Sequence, residues 1–387
     1  MFMSAKKLSP ILLGVLLLLT ASPSAAQVPD SAPFEVNAES AVLMEFETGT
    51  VLYAKSADRP LPPASVTKIM TLLLFMEEVD AGNISLDEQI SVSEYAASMG
   101  GSQVYLEPGE VLTAEDLLKC VIISSANDAA VALAEKTAGS EEAFVARMNE
   151  RAAELGMANT HFENVTGLDD TAKEHLTTAY DIALMSRALL RHDTITRYST
   201  IWMDSIRNGA FGLTNTNRLV RFYEGITGLK TGSTAKAGFC MSATAMRDGL
   251  HLIAVVMGSP TRDIRNETAR QLLDYGFANY SLFRAEGGPV GSVPVRGGVS
   301  DCCTVEAPPV CLLLPKGKAK SVQTELLLDP FVQAPVKAGD RIGKLRCLIG
   351  EEVVCETDVV SRDDVARIGW GGLFYRLLGG AVLKTGS

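Results

Sequence analysis

Histidine is scarce in this chain, and one common serine-hydrolase motif is absent. There are only 4 histidines in 387 residues, and no Gly-x-Ser-x-Gly sequence occurs. A Ser-His-Asp triad needs a histidine base beside its serine, and no two histidines here have the spacing of metal ligands on one helix face. We therefore expect neither a histidine-based triad nor a metal site, and we expect no cofactor. The histidines are His161, His175, His192 and His251.

Positive charge is also in short supply. The 35 lysines and arginines are outnumbered by 46 aspartates and glutamates, which gives a formal net charge of -11. A protein that binds nucleic acid needs a basic surface to meet the phosphates, so we expect no nucleic-acid partner. The 47% of hydrophobic residues is ordinary for a folded protein with a buried core.

The 7 cysteines do not have zinc-ligand spacing. Most of them fall in the last quarter of the chain, where Cys302 and Cys303 are adjacent and the other gaps are wide. An exported domain can pair such cysteines as disulfides. The odd total leaves at least one thiol free or paired with another chain, and we assign none of them to catalysis.

Residues 1–26 have the layout of a secretory signal peptide. Lys6 and Lys7 form a positive region, Ile11 to Leu19 form an apolar region, and small residues from Ser24 to Ala26 precede Gln27. The apolar region is shorter than a membrane-spanning helix, although an uncleaved anchor is the alternative. We expect cleavage before Gln27 and a mature protein that works outside the cytoplasm.

Residues 363–387 are expected to associate with a membrane surface. The stretch "IGWGGLFYRLLGGAVL", Ile368 to Leu383, is apolar apart from Arg376 and carries three aromatic residues. It is shorter than the ~20 residues that span a bilayer, so we expect it to lie in the interface at the outer face of the cytoplasmic membrane. The alternative is a helix that packs against the chain's own body.

The remaining sequence is predicted to form two domains. Residues 27–285 mix strand and helix patterns, and residues 286–362 contain short alternating apolar runs that predict a small all-β domain without chemistry of its own. Two hairpins are predicted in the larger domain, 41–46 with 51–55 and 239–246 with 250–257. Helices are predicted over 65–76, 113–124, 128–137, 140–155, 177–191 and 266–280.

A Ser-x-x-Lys sequence enters the first predicted helix at Ser65 and Lys68. The pattern occurs three times in the chain, but only here does it lie in a helix, where positions i and i+3 share a face. Lys68 can activate the Ser65 hydroxyl if burial and a second cation keep its amine neutral. The alternative is that Ser65 only caps the helix, because serine is a preferred capping residue and Pro63 precedes it.

Two further motifs follow in order. Ser125-Ala126-Asn127 lies at a junction between two helical patterns, and Lys230-Thr231-Gly232 ends an apparent strand that begins at Ile226. Each motif is weak alone. The ordered set of Ser-x-x-Lys, Ser-x-Asn and Lys-Thr-Gly is the signature of β-lactamases and penicillin-binding proteins.

The chain resembles the serine-type D-alanyl-D-alanine carboxypeptidases, the low-molecular-mass penicillin-binding proteins, over nearly the whole mature length. The segments "ASVTKIMT", "SSANDAAVALAE", "GLKTGSTAKAGFCMSATA", "NETARQLLDYGF" and "APVKAGDRIGKL" carry the resemblance. It implies an α/β (α+β) transpeptidase fold of the penicillin-binding-protein and β-lactamase type. In that fold an antiparallel sheet is flanked by helices, a helical subregion carries Ser125, and a small β domain follows.

The resemblance also implies a reaction and its catalytic residues. Ser65 attacks the carbonyl between the two terminal D-alanines of a peptidoglycan stem peptide and forms an acyl-enzyme, and Lys68 accepts its proton. Ser125, next to Lys230, passes a proton to the leaving amine. β-Lactam antibiotics are implied to acylate the same serine.

The implied substrate-binding residues follow the same motifs. The backbone N–H groups of Ser65 and Ser233 form an oxyanion hole, and Asn127 binds the substrate backbone. Thr231 holds the terminal carboxylate together with Arg265, for which a surface salt bridge is the alternative. The implied binding set is Asn127, Lys230, Thr231, Gly232, Ser233 and Arg265.

Two other functions compete with this interpretation. A class A β-lactamase needs a deacylating glutamate, and residues 161–170 contain Glu163 without that enzyme's Glu-x-x-x-Asn arrangement. A non-catalytic penicillin-binding sensor or wall-binding scaffold could keep Ser65 but lose turnover. Release of free D-alanine separates the carboxypeptidase from the scaffold.

Overall fold

The computed structural model describes residues 34–169 and 172–374. The expected signal peptide and most of the expected membrane segment therefore lie outside the described residues. No helix in these two ranges is long and apolar enough to cross a bilayer.

A five-stranded antiparallel sheet forms the centre of the larger part, in the order β2-β1-β9-β8-β7. Two short two-stranded sheets, β3-β4 and β5-β6, lie outside it. In chain order the strands are β1 (Ser40–Glu45), β2 (Val51–Lys55), β3 (Gln89–Ser91), β4 (Val111–Thr113), β5 (Met203–Ile206), β6 (Phe211–Thr214), β7 (Ile226–Thr234), β8 (Gly238–Arg247) and β9 (Leu250–Ser259).

Helices cover both faces of the central sheet. They are α1 (Lys68–Asp80), α2 (Glu94–Ala97), α3 (Ala114–Ser124), α4 (Asn127–Ala138), α5 (Glu141–Glu154), α6 (Ala179–Leu189), α7 (Ile195–Ser199), α8 (Leu219–Phe222) and α9 (Arg262–Asn279). Alternate residues of β1 serve two cores: Val42 packs with α1, α3, α4 and α6, whereas Leu43 packs with α9. Because side chains alternate across a strand, both faces must be apolar.

Both predicted hairpins are confirmed. The second closes through Asp248 and Gly249, both with positive φ, as a two-residue hairpin turn requires. The long predicted helices are also present, with ends shifted by up to four residues. The helix predicted from 266 begins earlier, at Arg262, because the Thr261 hydroxyl accepts a hydrogen bond from Ile264 N and caps it.

The prediction of an α-helix beginning at Ser65 is wrong at its first turn. Residues Ala64–Thr67 form a 3₁₀ turn, and α1 begins only at Lys68. The strand expected to end at Gly232 continues to Thr234, so the Lys-Thr-Gly sequence lies within β7 rather than at its end.

The C-terminal part is built from strands apart from a 3₁₀ turn at Lys318–Ser321 and helical residues 370–374. The strands are β10 (Tyr280–Ala285), β11 (Gly288–Arg296), β12 (Cys302–Ala307), β13 (Val310–Pro315), β14 (Val322–Leu328), β15 (Val332–Gln333), β16 (Arg341–Ile349) and β17 (Glu352–Ser361). Six of them form a sheet in the order β14-β16-β17-β12-β11-β15, and β10 pairs with β13. They enclose a separate apolar core that includes Val293, Ile342 and Val359.

Candidate active site

Ser65 lies within the 3₁₀ turn and does not cap it. The N-cap position belongs to Pro63, and no side-chain hydrogen bond caps this turn. Side chains at i and i+3 eclipse each other in a 3₁₀ helix, so the turn brings Lys68 over Ser65. Lys68 Nζ lies 2.9 Å from Ser65 Oγ. The capping alternative is therefore wrong.

Two glycines let neighbouring backbone segments press against this turn. Ala64 has φ 50, a conformation that costs a non-glycine residue roughly 1–2 kcal/mol. A Cβ on Gly167 would lie 1.8 Å from Ala64 O, and a Cβ on Gly232 would lie 2.7 Å from Ser65 N. The Thr67 hydroxyl also donates to Ala64 O at 2.9 Å. The strained conformation is thus held from both sides.

Lys68 is fully buried and is set up to lose its proton. Burial, and then the charge of Lys230, hold the pKa of Lys68 well below its usual value, against an opposing effect of Asp128. Besides Ser65, its amine contacts Asn127 Oδ1 at 2.5 Å and Thr166 O at 3.0 Å. Both of these partners are acceptors. A neutral amine has two N–H donors and one lone pair. The Asn127 and Thr166 oxygens accept the two N–H groups, so the lone pair faces the Ser65 hydroxyl.

A second buried lysine sits beside a second serine. Ser125 adopts a left-handed conformation (φ 62) at the end of α3, and its hydroxyl accepts a hydrogen bond from Lys230 Nζ at 2.7 Å. Lys230 also donates to Thr231 O at 2.9 Å. Burial, followed by the charge of Arg265, lowers the pKa of Lys230 to about 7.

The other predicted binding residues surround the same cleft. The cleft has a volume of 620 Å³, and Ser65, Ser125, Thr231, Gly232, Ser233 and Arg265 are among its lining residues. The Asn127 side chain is held by Lys68 and by Gly100 O, which accepts from Nδ2 at 2.6 Å. The nine predicted site residues are thus brought together.

Arg265 is not a surface ion-pair residue. Its side chain is 3% exposed and donates to Cys240 O and to Asn266 Oδ1. Burial, and then Arg262, lower the pKa of Arg265 to about 10. Within residues 34–169 and 172–374 it forms no salt bridge, so that alternative is wrong.

One wall of the cleft carries three arginines, Arg218, Arg262 and Arg265, and is called the cationic wall below. Sequence reasoning identified only Arg265. No acidic residue lines the cleft among the described residues. Thr216 lies beside Thr231, with the two hydroxyls 2.8 Å apart. The sequence "TNTNRL" contains two asparagines, a residue type that favours turns by hydrogen-bonding the backbone two residues on. That pattern predicts a turn but no binding role for its neighbours.

The histidines do not reach Ser65. His175 lies behind the nucleophile turn: its Nε2 is 2.8 Å from Thr67 Oγ1, and its Nδ1 accepts from Glu163 N. Because Thr67 already donates to Ala64 O, Nε2 must be the protonated ring nitrogen. Burial lowers the pKa of His175 to about 4, so the ring is a neutral structural bridge.

Glu163 is not placed as a deacylating base. Its carboxylate is exposed and accepts hydrogen bonds from the backbone N–H groups of Lys173 and Glu174. The neighbouring loop instead presents Thr166 O to Lys68. Over the part of the chain that is described, no cluster of histidine, cysteine and acidic side chains could hold a metal ion.

Replacing Lys230 with methionine is expected to weaken the rise of stability with pH. The pKa of this lysine is about 7 in the folded protein and about 10.4 in an unfolded chain. Between these values the unfolded chain binds more protons, so the free energy of unfolding rises with pH. Below about pH 7 both states are protonated, and the cost of burying the charge is fully present. Between pH 7 and pH 9 the free energy of unfolding should therefore rise by about 2 kcal/mol less in the variant than in the parent.

Urea unfolding at both pH values measures this difference. Lys316→Met, which changes an exposed lysine, is the matched control and should follow the parent. Equal pH dependence in the parent and Lys230→Met would show that Lys230 does not titrate in this range.

Two family models match the chain. The D-alanyl-D-alanine carboxypeptidase model matches residues 25–261. The model for the C-terminal domain of penicillin-binding protein 5 matches residues 279–367.

Full-length relatives support the same assignment. The D-alanyl-D-alanine carboxypeptidase DacF of Bacillus subtilis is 40% identical over 96% of this chain and 97% of its own length. DacC of Escherichia coli is 32% identical over 93% of this chain and 91% of its own.

A solved structure agrees with the fold. Penicillin-binding protein 5 of Haemophilus influenzae superposes with a TM-score of 0.74 at 28% identity, covering 87% of this chain and 100% of that one. The predicted fold class is confirmed. This chain belongs to the D-alanyl-D-alanine carboxypeptidase family of penicillin-binding proteins and is a serine hydrolase of that type.

Proposed function

We propose that this enzyme removes the terminal D-alanine from peptidoglycan stem peptides through an acyl-enzyme on Ser65. The observation that carries the proposal is the Ser65–Lys68 pair, 2.9 Å apart, with both N–H donors of a neutral Lys68 amine directed elsewhere. A serine hydroxyl is a weak nucleophile until an adjacent base accepts its proton.

Acylation begins when Ser65 Oγ attacks the carbonyl carbon between the two D-alanines. Its proton passes to Lys68 Nζ, and the carbonyl oxygen becomes an oxyanion. The backbone N–H groups of Ser65 and Ser233 stabilise that oxyanion, each by about 3 kcal/mol. The close approach of Gly232 to Ser65 N brings these two donors to one place.

Collapse of the tetrahedral intermediate releases D-alanine. The leaving nitrogen needs a proton, which Ser125 supplies from its hydroxyl. Lys230, whose Nζ donates to Ser125 Oγ at 2.7 Å, stabilises the oxygen during the transfer. The proton that Lys68 took from Ser65 then replaces the one that Ser125 gave to the leaving nitrogen. Water then attacks the ester carbonyl and gives a proton to Lys68, which passes it to Ser65 Oγ as that oxygen leaves, so the serine hydroxyl and the neutral amine are restored.

The cationic wall binds the carboxylate of the leaving D-alanine. Thr231 donates to Thr216, which leaves the Thr216 proton available to the carboxylate. Arg218, Arg262 and Arg265 supply positive charge where no acid lines the cleft among the described residues. A substrate with a free C-terminal carboxylate is therefore favoured over an internal peptide bond.

The mature chain should release D-alanine from an acylated peptide that ends in D-Ala-D-Ala. It should act far more slowly on the same peptide amidated at its C-terminus, because the amide cannot pair with the cationic wall. Free D-alanine, measured enzymatically, is the readout. Covalent penicillin binding without D-alanine release would support the sensor or scaffold, and rapid turnover of penicillin would support the β-lactamase.

We also propose that the protein is exported and held at the membrane surface by residues 363–387. Residues 363–368 pack on the C-terminal strands, with Val365 2% exposed and Ile368 N donating to Gly297 O. Beyond them, Trp370 is 89% exposed and Leu373 is also exposed, so these two apolar side chains face solvent. Apolar and aromatic side chains displayed in this way suit the membrane interface.

Deleting residues 369–387 is expected to move the protein from membranes to the soluble fraction with activity intact. The cut leaves Ile368, whose N–H donates to Gly297 O, so the β domain keeps this contact. Sedimentation with phospholipid vesicles provides the measurement, and Trp370→Ser with Leu373→Ser in the full chain is a milder variant. Unchanged partition of the truncated protein would rule out the anchor.

A further inference from the structure

Cys347 and Cys355 lie directly opposite each other on neighbouring antiparallel strands. β16 and β17 pair with Cys347 in register with Cys355. Residues opposite each other in such a pair have Cβ atoms about 4.5–5.5 Å apart and side chains on the same face. A disulfide needs Cα atoms about 4.4–6.8 Å apart, with Cβ atoms near 3.8 Å. The two strands need to approach each other only slightly for the paired cysteines to reach disulfide geometry.

The strands have a local irregularity at this position. Leu348 pairs with Val353, whereas Cys347 pairs with Cys355, so Val354 is an extra residue in β17. A bulge of this kind increases the local twist and interrupts the ladder. The backbone can therefore adjust beside the cysteine pair without disturbing the rest of the sheet.

Both thiols face the core of the C-terminal part. Cys347 is 1% exposed, and Cys355 packs against the same apolar cluster from a half-buried position. Burial, and then the neighbouring Cys355, raise the pKa of Cys347. No metal-binding cluster includes them in the described ranges, so a metal does not account for the pair.

The strand register does not pair the other cysteines of this part with each other. Cys302 faces Pro294, Cys303 faces Val293, and Cys311 faces Arg284. We propose that Cys347 and Cys355 form an intramolecular disulfide in the mature protein, which makes this strand pair a site of oxidative modification.

The bond forms by thiol–disulfide exchange with an oxidised dithiol protein or a small disulfide. The Cys355 thiolate, which is the more exposed, attacks one sulfur of the carrier and releases the other as a thiolate. The Cys347 thiolate then attacks Cys355 Sγ and releases the second carrier sulfur. The two cysteines lose two protons and two electrons, and the carrier disulfide is reduced to two thiols.

The bond would fasten the β16–β17 hairpin at the middle of the six-stranded sheet. β16 lies beside β14, and β17 lies beside β12, so both strands carry neighbours that depend on their register. A crosslink that closes a loop restricts the unfolded chain and stabilises the folded one. None of the cleft residues lies in this sheet, so D-alanine release should be the same in the oxidised and reduced protein.

Peptide mapping tests the proposal on the full mature chain. The folded protein is equilibrated with oxidised glutathione and then denatured with N-ethylmaleimide to block the remaining thiols. Trypsin cuts after Arg346 and Arg362, so both cysteines fall in one peptide. That peptide should be unblocked and lighter by two hydrogen atoms than its reduced form. A protease that cuts after Glu351 and Glu352 should leave two fragments joined until reduction.

Two serine variants complete the test. Cys355→Ser should leave Cys347 blocked by N-ethylmaleimide, with a urea midpoint equal to that of the reduced parent and below that of the oxidised parent. Cys311→Ser should keep the bond. A parent peptide that carries two N-ethylmaleimide groups, one that carries glutathione, or one linked to Cys302, Cys303 or Cys311 would overturn the proposal, whether or not any variant folds.

Discussion

Ser65→Ala should lose D-alanine release by about 10⁴-fold or more while it stays folded. Removal of a catalytic nucleophile leaves only the binding and oxyanion contributions to rate. The Ser65 side chain caps no helix, so little stability is lost with it. D-alanine release from an acylated D-Ala-D-Ala peptide and urea unfolding of the same preparation provide the two measurements.

Ser140→Ala is the matched control for that experiment. Ser140 is a true helix cap: its Oγ accepts from Ala143 N at the start of α5. Its loss should cost about 1 kcal/mol of stability and leave turnover within a few-fold. The two serines should therefore show opposite patterns, with activity lost in one and stability in the other. A Ser65→Ala enzyme that still releases D-alanine would remove Ser65 from the mechanism.

Lys68→Ala is expected to nearly abolish acylation, whereas each histidine-to-glutamine variant should stay within a few-fold of the parent. Lys68 contacts the Ser65 hydroxyl directly. His175, the histidine tied to the nucleophile turn, contacts Thr67 instead. Stopped-flow acylation by a chromogenic β-lactam measures the step without the later hydrolysis.

The pH profile of the parent gives an independent check. Burial and Lys230 lower the pKa of Lys68, so the amine is neutral at pH values where an exposed lysine is charged. A base must be unprotonated to accept the serine proton, and acylation should therefore fall as the pH drops through that lowered pKa. If one histidine-to-glutamine variant stayed folded but was as inactive as Lys68→Ala, that histidine rather than Lys68 would be assigned as the base.

The motifs and most of the helices and strands could be predicted because they depend on local patterns. Apolar spacing predicted α3 to α6, and a short turn with Gly249 predicted the β8–β9 hairpin. Ser65, Ser125 and Lys230 could be identified because each lies in a short motif and the three motifs occur in order.

The geometry around Ser65 could not be predicted in the same way. One turn is too short for apolar spacing to distinguish an α-helix from a 3₁₀ helix. The change from a 3₁₀ turn to an α-helix at Lys68 therefore could not be predicted from the sequence. The partner of Lys68 on the far loop is a backbone oxygen, Thr166 O, and any residue supplies one. Gly167 and Gly232 have their roles only because distant segments meet at Ala64 and Ser65.

Two of the three arginines of the cationic wall, Arg218 and Arg262, were missed for a related reason. Arg218 precedes the short helix α8, whereas Arg262 and Arg265 begin α9. Nothing in the local sequence distinguishes Arg218 and Arg262 from solvated surface residues, and Arg265 was identified only through the family resemblance. Only the fold shows that they share a cleft with Thr231 and that Arg265 is buried.

Mapping the penicillin adduct tests the nucleophile assignment most directly. A β-lactam should acylate the activated serine and remain attached, because its leaving group stays tethered and the exposed Glu163 carboxylate is bonded to the backbone N–H groups of Lys173 and Glu174 instead of facing the acyl-enzyme. Intact-mass analysis after penicillin treatment should show a single adduct, and peptide mapping should place it on Ser65. An adduct on Ser125 or Ser233, or one that persists in Ser65→Ala, would contradict the account.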